Sequence, residues 1–189
     1  MYIGLLDLSH KLVWTIEGVL SPDECTVLIR EFEARNPVLA TVNTGRRPEG
    51  EYRTELRNNA RVIHDDPQLA ARLFERVRPG LPERLSGRHV KGANERFRFY
   101  RYEPGQFFKP HYDGAFQRSP GESSLLTFMI YLNGDFDGGE TNFLELGQSI
   151  KPRAGLAILF QHHVLHESAT VVRGRKYALR SDIMYERRD

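Results

Sequence analysis

From about residue 94 onward the chain is a succession of short β-rich runs separated by turn signals, and no helical period survives past about residue 90. The runs fall at 95–102, 125–132, 141–144, 157–160, 169–172 and 177–185. Glu103-Pro104-Gly105, Asn133-Gly134-Asp135, Asp137-Gly138-Gly139 and Arg173-Gly174 supply the turns between them. Strands this short and numerous bury little unless they close into a sandwich or barrel. The expected fold class is therefore mainly β, with whatever precedes residue 90 packed against it.

Two helices are signalled in that preceding part. Ser21-Pro22-Asp23-Glu24 is a capping box, with proline at the first helical position and glutamate three residues after the serine cap. Behind it Cys25, Leu28, Ile29 and Phe32 recur at the spacing of one helical face. Asp66-Pro67 opens the second helix, whose stripe Leu69, Leu73 and Val77 is stopped by Pro79-Gly80. We expect a single domain over residues 1–189, with helical support over about 1–90 and a β core over about 91–189. Residues 43–60 carry Arg46, Arg47, Arg53 and Arg57 without an apolar period. Such a stretch reads as a lid or binding loop, with a plain surface connection as the other reading.

Composition narrows the class. The 27 basic and 25 acidic residues are interspersed, which gives no charge-based reason to expect a nucleic acid or membrane partner. Cys25 is the sole cysteine, so no intrachain disulfide can form and a reducing, cytoplasmic setting is expected. Residues 1–11 lack the pattern of a signal peptide, and the apolar stretches 125–132 and 154–160 are too short to cross a bilayer.

The chemistry is carried by His111-Tyr112-Asp113 and, 53 residues after the aspartate, His166. Residues two apart on a strand point to the same face, which suits two ligands of one metal. Two imidazoles and a carboxylate fill one face of an iron(II) octahedron and leave three positions for a chelating cosubstrate and O₂, although Mn, Co, Ni or Zn also accept these donors. His162 and His163 compete for the third position. His166 is preferred because Lys176 follows ten residues later across the Gly174 turn, where it can hold a cosubstrate carboxylate. His163 is the runner-up, His162 is read as a loop histidine facing away, and His10, His64 and His89 as surface or turn histidines.

Residues 96–185 resemble the iron(II)/2-oxoglutarate-dependent dioxygenases, and within them the prolyl 4-hydroxylase-like branch. The resemblance runs through Arg101-Tyr102-Glu103-Pro104-Gly105-Gln106, Pro110-His111-Tyr112-Asp113, Tyr131-Leu132-Asn133 and Gly138-Gly139-Glu140-Thr141-Asn142-Phe143. It continues through Pro152, Gly155, His166 and Gly174-Arg175-Lys176-Tyr177, and residues 19–25 look like the branch's opening helix. It implies a double-stranded β-helix (jelly roll) with iron held by His111, Asp113 and His166. It also implies that Lys176 pairs with the C5 carboxylate of 2-oxoglutarate, with Tyr102 assisting and Tyr131 or Thr127 as weaker candidates. Arg180, four residues on and on the same strand face, is a second-rank site residue: it could bind that carboxylate, receive one from the primary substrate, or pair with Asp182.

The implied cofactors are Fe(II), 2-oxoglutarate and O₂, with ascorbate as an auxiliary. The implied reaction hydroxylates a C–H bond with release of succinate and CO₂. Asp113 agrees with hydroxylation, since the related halogenases lack this carboxylate. The expected substrate is prolyl, peptidyl or an amino acid, contacted by Arg47, Arg53 and Tyr112. An oxidative demethylase of a nucleic acid base and a non-catalytic metal or 2-oxoglutarate sensor are the alternatives.

Overall fold

The computed structural model describes residues 5–42 and 50–188. Helix α1, Pro22–Glu33, begins as its capping box dictates: Glu24 N–H donates to Ser21 Oγ, and Ser21 N–H donates to the Glu24 carboxylate at 2.9 Å. Helix α2, Pro67–Val77, is capped by Asp66, which accepts from Leu69 N–H at 2.9 Å. Cys25, Leu28 and Phe32 of α1, with Leu69, Ala70, Leu73, Phe74 and Val77 of α2, form the buried stripes.

Both stripes lie on one face of a large sheet. Its central strands run in the order Ala157–Gln161, Glu122–Tyr131, Lys176–Glu186, Arg96–Tyr102 and Ala60–Asp65, each antiparallel to the next. Strand alternation divides their side chains. Phe97, Phe99, Phe128, Ile130 and Leu179 join the helices in the main apolar core. The opposite face carries Arg98, Tyr100, Tyr102, Thr127, Tyr131, Lys176, Arg180 and Asp182. A smaller sheet, Gln148–Ile150, Thr141–Phe143, His166–Ser168 and Phe108–His111, covers this second face. Tyr131, Phe143, Ile158 and Phe160 fill one end of the space between the sheets. The architecture is the expected mainly β jelly roll with N-terminal helices.

The partition at residue 90 needs correction. Val13–Ile16, Val38–Leu39, Ala60–Asp65, Arg84–Leu85 and Arg88–Ala93 are strands, and all belong to the large sheet. Ala60–Asp65 alternates only weakly in burial, so its pairing with Arg96–Tyr102 rather than its own pattern makes it a strand. The Gly138-Gly139 pair does the structural work expected of it. Both adopt positive φ, +75° and +69°, and a Cβ on Gly138 would lie 2.3 Å from the Thr170 carbonyl oxygen.

Candidate metal centre and its two pockets

The short strands Phe108–His111 and His166–Ser168 pair antiparallel with His111 directly opposite His166. That register brings residues 55 apart in sequence into one site, with ring centroids 4.2 Å apart. Each imidazole is aimed the same way: Nδ1–H of His111 donates to Lys109 O at 2.7 Å, and Nδ1–H of His166 donates to Val164 O at 3.0 Å. Both bonds set the tautomer that leaves Nε2 as the lone-pair donor. Asp113 lies two residues beyond its strand, held by its N–H to His162 O at 3.0 Å. Its carboxylate oxygens stand 3.9 Å from His111 Nε2 and 3.6 Å from His166 Nε2. One ligand atom from each residue lies within 4.8 Å of the other two.

Protonation suits a cation. Burial, followed by the neighbouring His166, pushes His111 down to about 3, and burial lowers His166 as well. Burial alone would raise Asp113, but Arg180 and the two imidazoles hold it well below the usual carboxylate range. Two neutral imidazoles and one ionised carboxylate lying close together are a donor set that suits a divalent transition metal such as iron(II).

A second ring of residues fixes Asp113. Thr127 Oγ1 donates to Asp113 Oδ2 at 2.6 Å and lies 3.0 Å from His162 Nδ1, while His162 Nε2 meets Ser124 Oγ at 2.8 Å. His162 is therefore a buried supporting residue rather than a loop histidine facing away. Arg180 Nη2 lies 3.1 Å from Asp113 Oδ2 and 3.2 Å from Asp182 Oδ1, so its charge is committed to the two carboxylates. Of the three readings open for Arg180, this geometry selects the pairing with Asp182 and adds Asp113. The Thr127 hydroxyl is likewise engaged by the Asp113 carboxylate, while the residue lines the inner pocket.

An inner pocket runs from the three ligands to Lys176, with Tyr102, Met129, Ser168 and Ala178 in its walls. Lys176 is fully buried; its Nζ donates to Gly139 O at 2.6 Å and Ser168 Oγ at 2.7 Å and lies over the Tyr102 and Tyr131 rings. Among the described residues no carboxylate pairs with it, and burial pushes it down to about 7. A buried amine lacking a counterion at the end of a metal pocket fits a cosubstrate with a distal carboxylate. Tyr102 lines this pocket beside it. The Tyr131 hydroxyl is occupied, donating to Thr141 Oγ1 at 2.6 Å.

An outer pocket opens on the other side of His111 and Asp113. Tyr112 is exposed at its edge, whereas Arg53 faces solvent paired with Glu55, and Arg47 lies outside the described residues. The residues that sequence reasoning left without a role here are Arg57, Arg61 and Arg98. Arg98 had a legible signal, since it alternates with Tyr100 and Tyr102 on one strand face. Arg57 had none beyond its charge. It is buried by an isolated bridge to Phe108.

Comparison with known proteins agrees with this geometry. The sequence pattern of the 2OG-Fe(II) oxygenase superfamily matches residues 97–181. A probable prolyl 4-hydroxylase 6 from Arabidopsis thaliana is 27% identical over an alignment covering 89% of this chain and 69% of its own. A PKHD-type hydroxylase from Caulobacter vibrioides is 38% identical over 42% of this chain and 39% of its own. Against the first three curated relatives the chain spans 69%, 56% and 39% of their lengths. Among solved structures, the viral collagen prolyl hydroxylase of Paramecium Bursaria Chlorella virus-1, in a 2OG complex, superposes with a TM-score of 0.65. It is 22% identical, and the match covers 93% of this chain and 97% of that one. A Pseudomonas putida prolyl-4-hydroxylase gives 0.65 at 20% identity, covering 97% and 96%.

The fold and its site thus define a jelly roll with a His–Asp–His cluster that could hold a metal ion. Over residues 97–181 the chain carries the pattern of the 2OG-Fe(II) oxygenase superfamily, and the relatives it resembles include prolyl 4-hydroxylases. Members of this family use Fe(II), 2-oxoglutarate and O₂.

Proposed function

We propose that this chain is a 2-oxoglutarate-dependent hydroxylase acting on a C–H bond of a peptidyl or amino-acid substrate, a prolyl residue being the first candidate. The observation that carries the reading is the joining of two pockets at one set of metal ligands, with Lys176 closing the inner one. The prolyl candidate is supported by the names of the relatives.

With iron(II) and 2-oxoglutarate bound, the centre supplies oxidative decarboxylation to succinate and CO₂ coupled to hydroxylation of the substrate. The protein's own share is placement. His111, Asp113 and His166 would hold the metal, and the backbone carbonyls of Lys109 and Val164 keep the two rings in the ligating tautomer. Thr127 and Arg180 keep the Asp113 carboxylate ionised and turned toward the imidazoles. Lys176, as the ammonium, would neutralise the far carboxylate of 2-oxoglutarate, and the apolar wall of Met129, Phe160 and Ala178 excludes water around it. A primary substrate then enters from the outer pocket, past Tyr112.

The demethylase alternative is not favoured, since the relatives this chain resembles are named prolyl 4-hydroxylases. Among the described residues no helix is long and apolar enough to cross a membrane.

Anaerobic addition of iron(II) and 2-oxoglutarate to the apoprotein should produce the charge-transfer absorption of the chelate. On admission of O₂, succinate release should accelerate with a substrate peptide. A normal chelate with no succinate under any substrate would favour the sensor reading, and no chelate at all would remove the oxygenase reading.

A further inference from the structure

We propose that the outer pocket takes a primary substrate bearing a carboxylate, anchored by Arg57 with Arg61 and Arg98 beside it. The inference rests on the reading that the outer pocket receives the primary substrate and names that substrate's chemical class.

The first observation is orphaned polarity. Seven buried side-chain nitrogen or oxygen atoms lack a hydrogen-bond partner among the described residues. Four of them, Arg57 Nη2, Arg98 Nη1, Arg180 Nε and Asp182 Oδ1, belong to residues lining this one pocket; Asp182 Oδ1 and Arg98 Nη1 stand at ion-pair distance from Arg180 and Asp182, which leaves Arg57 Nη2 and Arg180 Nε as the open donors. Buried polar atoms are ordinarily satisfied, so an unpaired guanidinium nitrogen on a pocket wall marks a place where an acceptor can be supplied from outside.

Arg57 is the most constrained of the four. It is 4% exposed, its Nε donates to Asn59 Oδ1 at 2.6 Å, and its guanidinium carbon lies 4.6 Å from the Tyr100 ring centroid and 4.4 Å from that of Phe108. Stacked between two rings, fixed at Nε and hydrogen-bonded to the Tyr102 hydroxyl, it has Nη2 left for a ligand. That nitrogen can donate to one oxygen of a carboxylate, with Arg61 or Arg98 beside it for the other.

The second observation is charge. Among the described residues, Arg57, Arg61, Arg98, Lys109 and Arg180 line the pocket against two carboxylates, Asp113 and Asp182. An iron(II) dication and a 2-oxoglutarate dianion would cancel one another and leave this excess in place. The field is visible in Tyr100: its burial would raise the phenol, yet Arg57, Arg180, Arg98 and Arg61 together bring it below its ordinary value. Arg61 is tethered by Nη2 to Thr41 Oγ1 at 2.9 Å, and Arg98 stands 3.6 Å from Asp182 Oδ2. The buried Asp182 in the same pocket favours a monoanion over a phosphate dianion, which it would repel.

The test uses the protein loaded with Mn(II), which these ligands accept, and one equivalent of 2-oxoglutarate without O₂. N-acetyl-L-alanine, a monoanion, and its uncharged analogue N-acetyl-L-alanine amide are the probes, and the readout is Mn(II)-induced broadening of their acetyl proton signals. The acid should broaden saturably and the amide at least about tenfold more weakly. Arg57→Gln and, independently, Arg61→Gln should each weaken the acid by about tenfold or more, with Arg57→Lys intermediate. The iron(II) charge-transfer titration should show 2-oxoglutarate affinity within about twofold of wild type in each folded variant.

Equal broadening by acid and amide would overturn the proposal. So would tighter binding of inorganic phosphate, or a loss of 2-oxoglutarate affinity in Arg57→Gln, which would place Arg57 with the cosubstrate. An intact chelate accompanies each of these outcomes, whereas failure of the chelate itself would strike the hydroxylase reading instead.

Discussion

Lys176 gives the sharpest test of how burial shapes this site. Its ammonium is enclosed between the Tyr102 and Tyr131 rings and bonded only to the neutral oxygens of Gly139 and Ser168, so burial drags it from 10.5 down to about 7. A dicarboxylate bound in the inner pocket supplies the missing counterion and must raise that value again. Below pH 7 the ammonium is already formed, and cosubstrate binding takes up no proton. Above pH 7 the free protein has lost the proton and must recover it to bind, which costs about tenfold in affinity per pH unit. From pH 7 to pH 9 the 2-oxoglutarate dissociation constant should therefore rise on the order of 50-fold.

The metal ligands do not interfere in this window, because His111 titrates at about 3 and Asp113 lower than an ordinary carboxylate. Anaerobic charge-transfer titrations at several pH values would give the slope. Calorimetry in two buffers of different ionisation enthalpy should count about one proton taken up at pH 9. Lys176→Met should abolish the pH dependence and weaken binding on the order of 100-fold at or below pH 7, the cost of leaving a buried carboxylate unpaired. A flat wild-type profile, or an equal slope in Lys176→Met, would refute the reasoning. Stability without cosubstrate must follow the same group: the unfolded chain binds the extra proton between about pH 7 and 10.5, so this contribution makes the folded state more stable as pH rises through that window.

Three further outcomes are expected. Thr127→Val should lower affinity for iron(II) or a cobalt(II) probe about 10- to 100-fold while preserving the far-ultraviolet spectrum, since it frees the Asp113 carboxylate without touching the core; unchanged metal affinity would deny Thr127 its orienting role. His111→Ala and His166→Ala should each abolish stoichiometric cobalt(II) binding, whereas His163→Ala should retain it; loss in His163→Ala instead would change the third ligand. Gly138→Ala should destabilise the fold by about 2 kcal/mol or more in urea denaturation, from its positive φ and the Thr170 carbonyl in the way; a cost near zero would mean the turn can shift freely.

The sequence on its own determined what is written in local order. The Ser21 capping box, the Asp66 cap and the two apolar stripes specify α1 and α2 from contacts within a few residues, and both formed as read. The β-runs after residue 94 and their glycine turns specify a sandwich for the same reason, because a period of two and a positive φ are properties of the chain itself. The candidate donors His111, Asp113 and His166 stood out because metal chemistry admits few residue types, and the fold brings the three together.

What only the tertiary structure decided depends on partners far away in sequence. Ala60–Asp65 is a strand because Arg96–Tyr102 offers it an edge. His166 faces His111 through a cross-strand register. His162 became a buried support because Thr127 and Ser124 arrive from a neighbouring strand. Arg180 holds Asp113 and Asp182, and Arg57, from a stretch that read only as a polar loop, ends stacked between Tyr100 and Phe108. A charged side chain's role is fixed by which opposite charges and rings the fold delivers to it, and that is a property of the assembled sheets rather than of the residue.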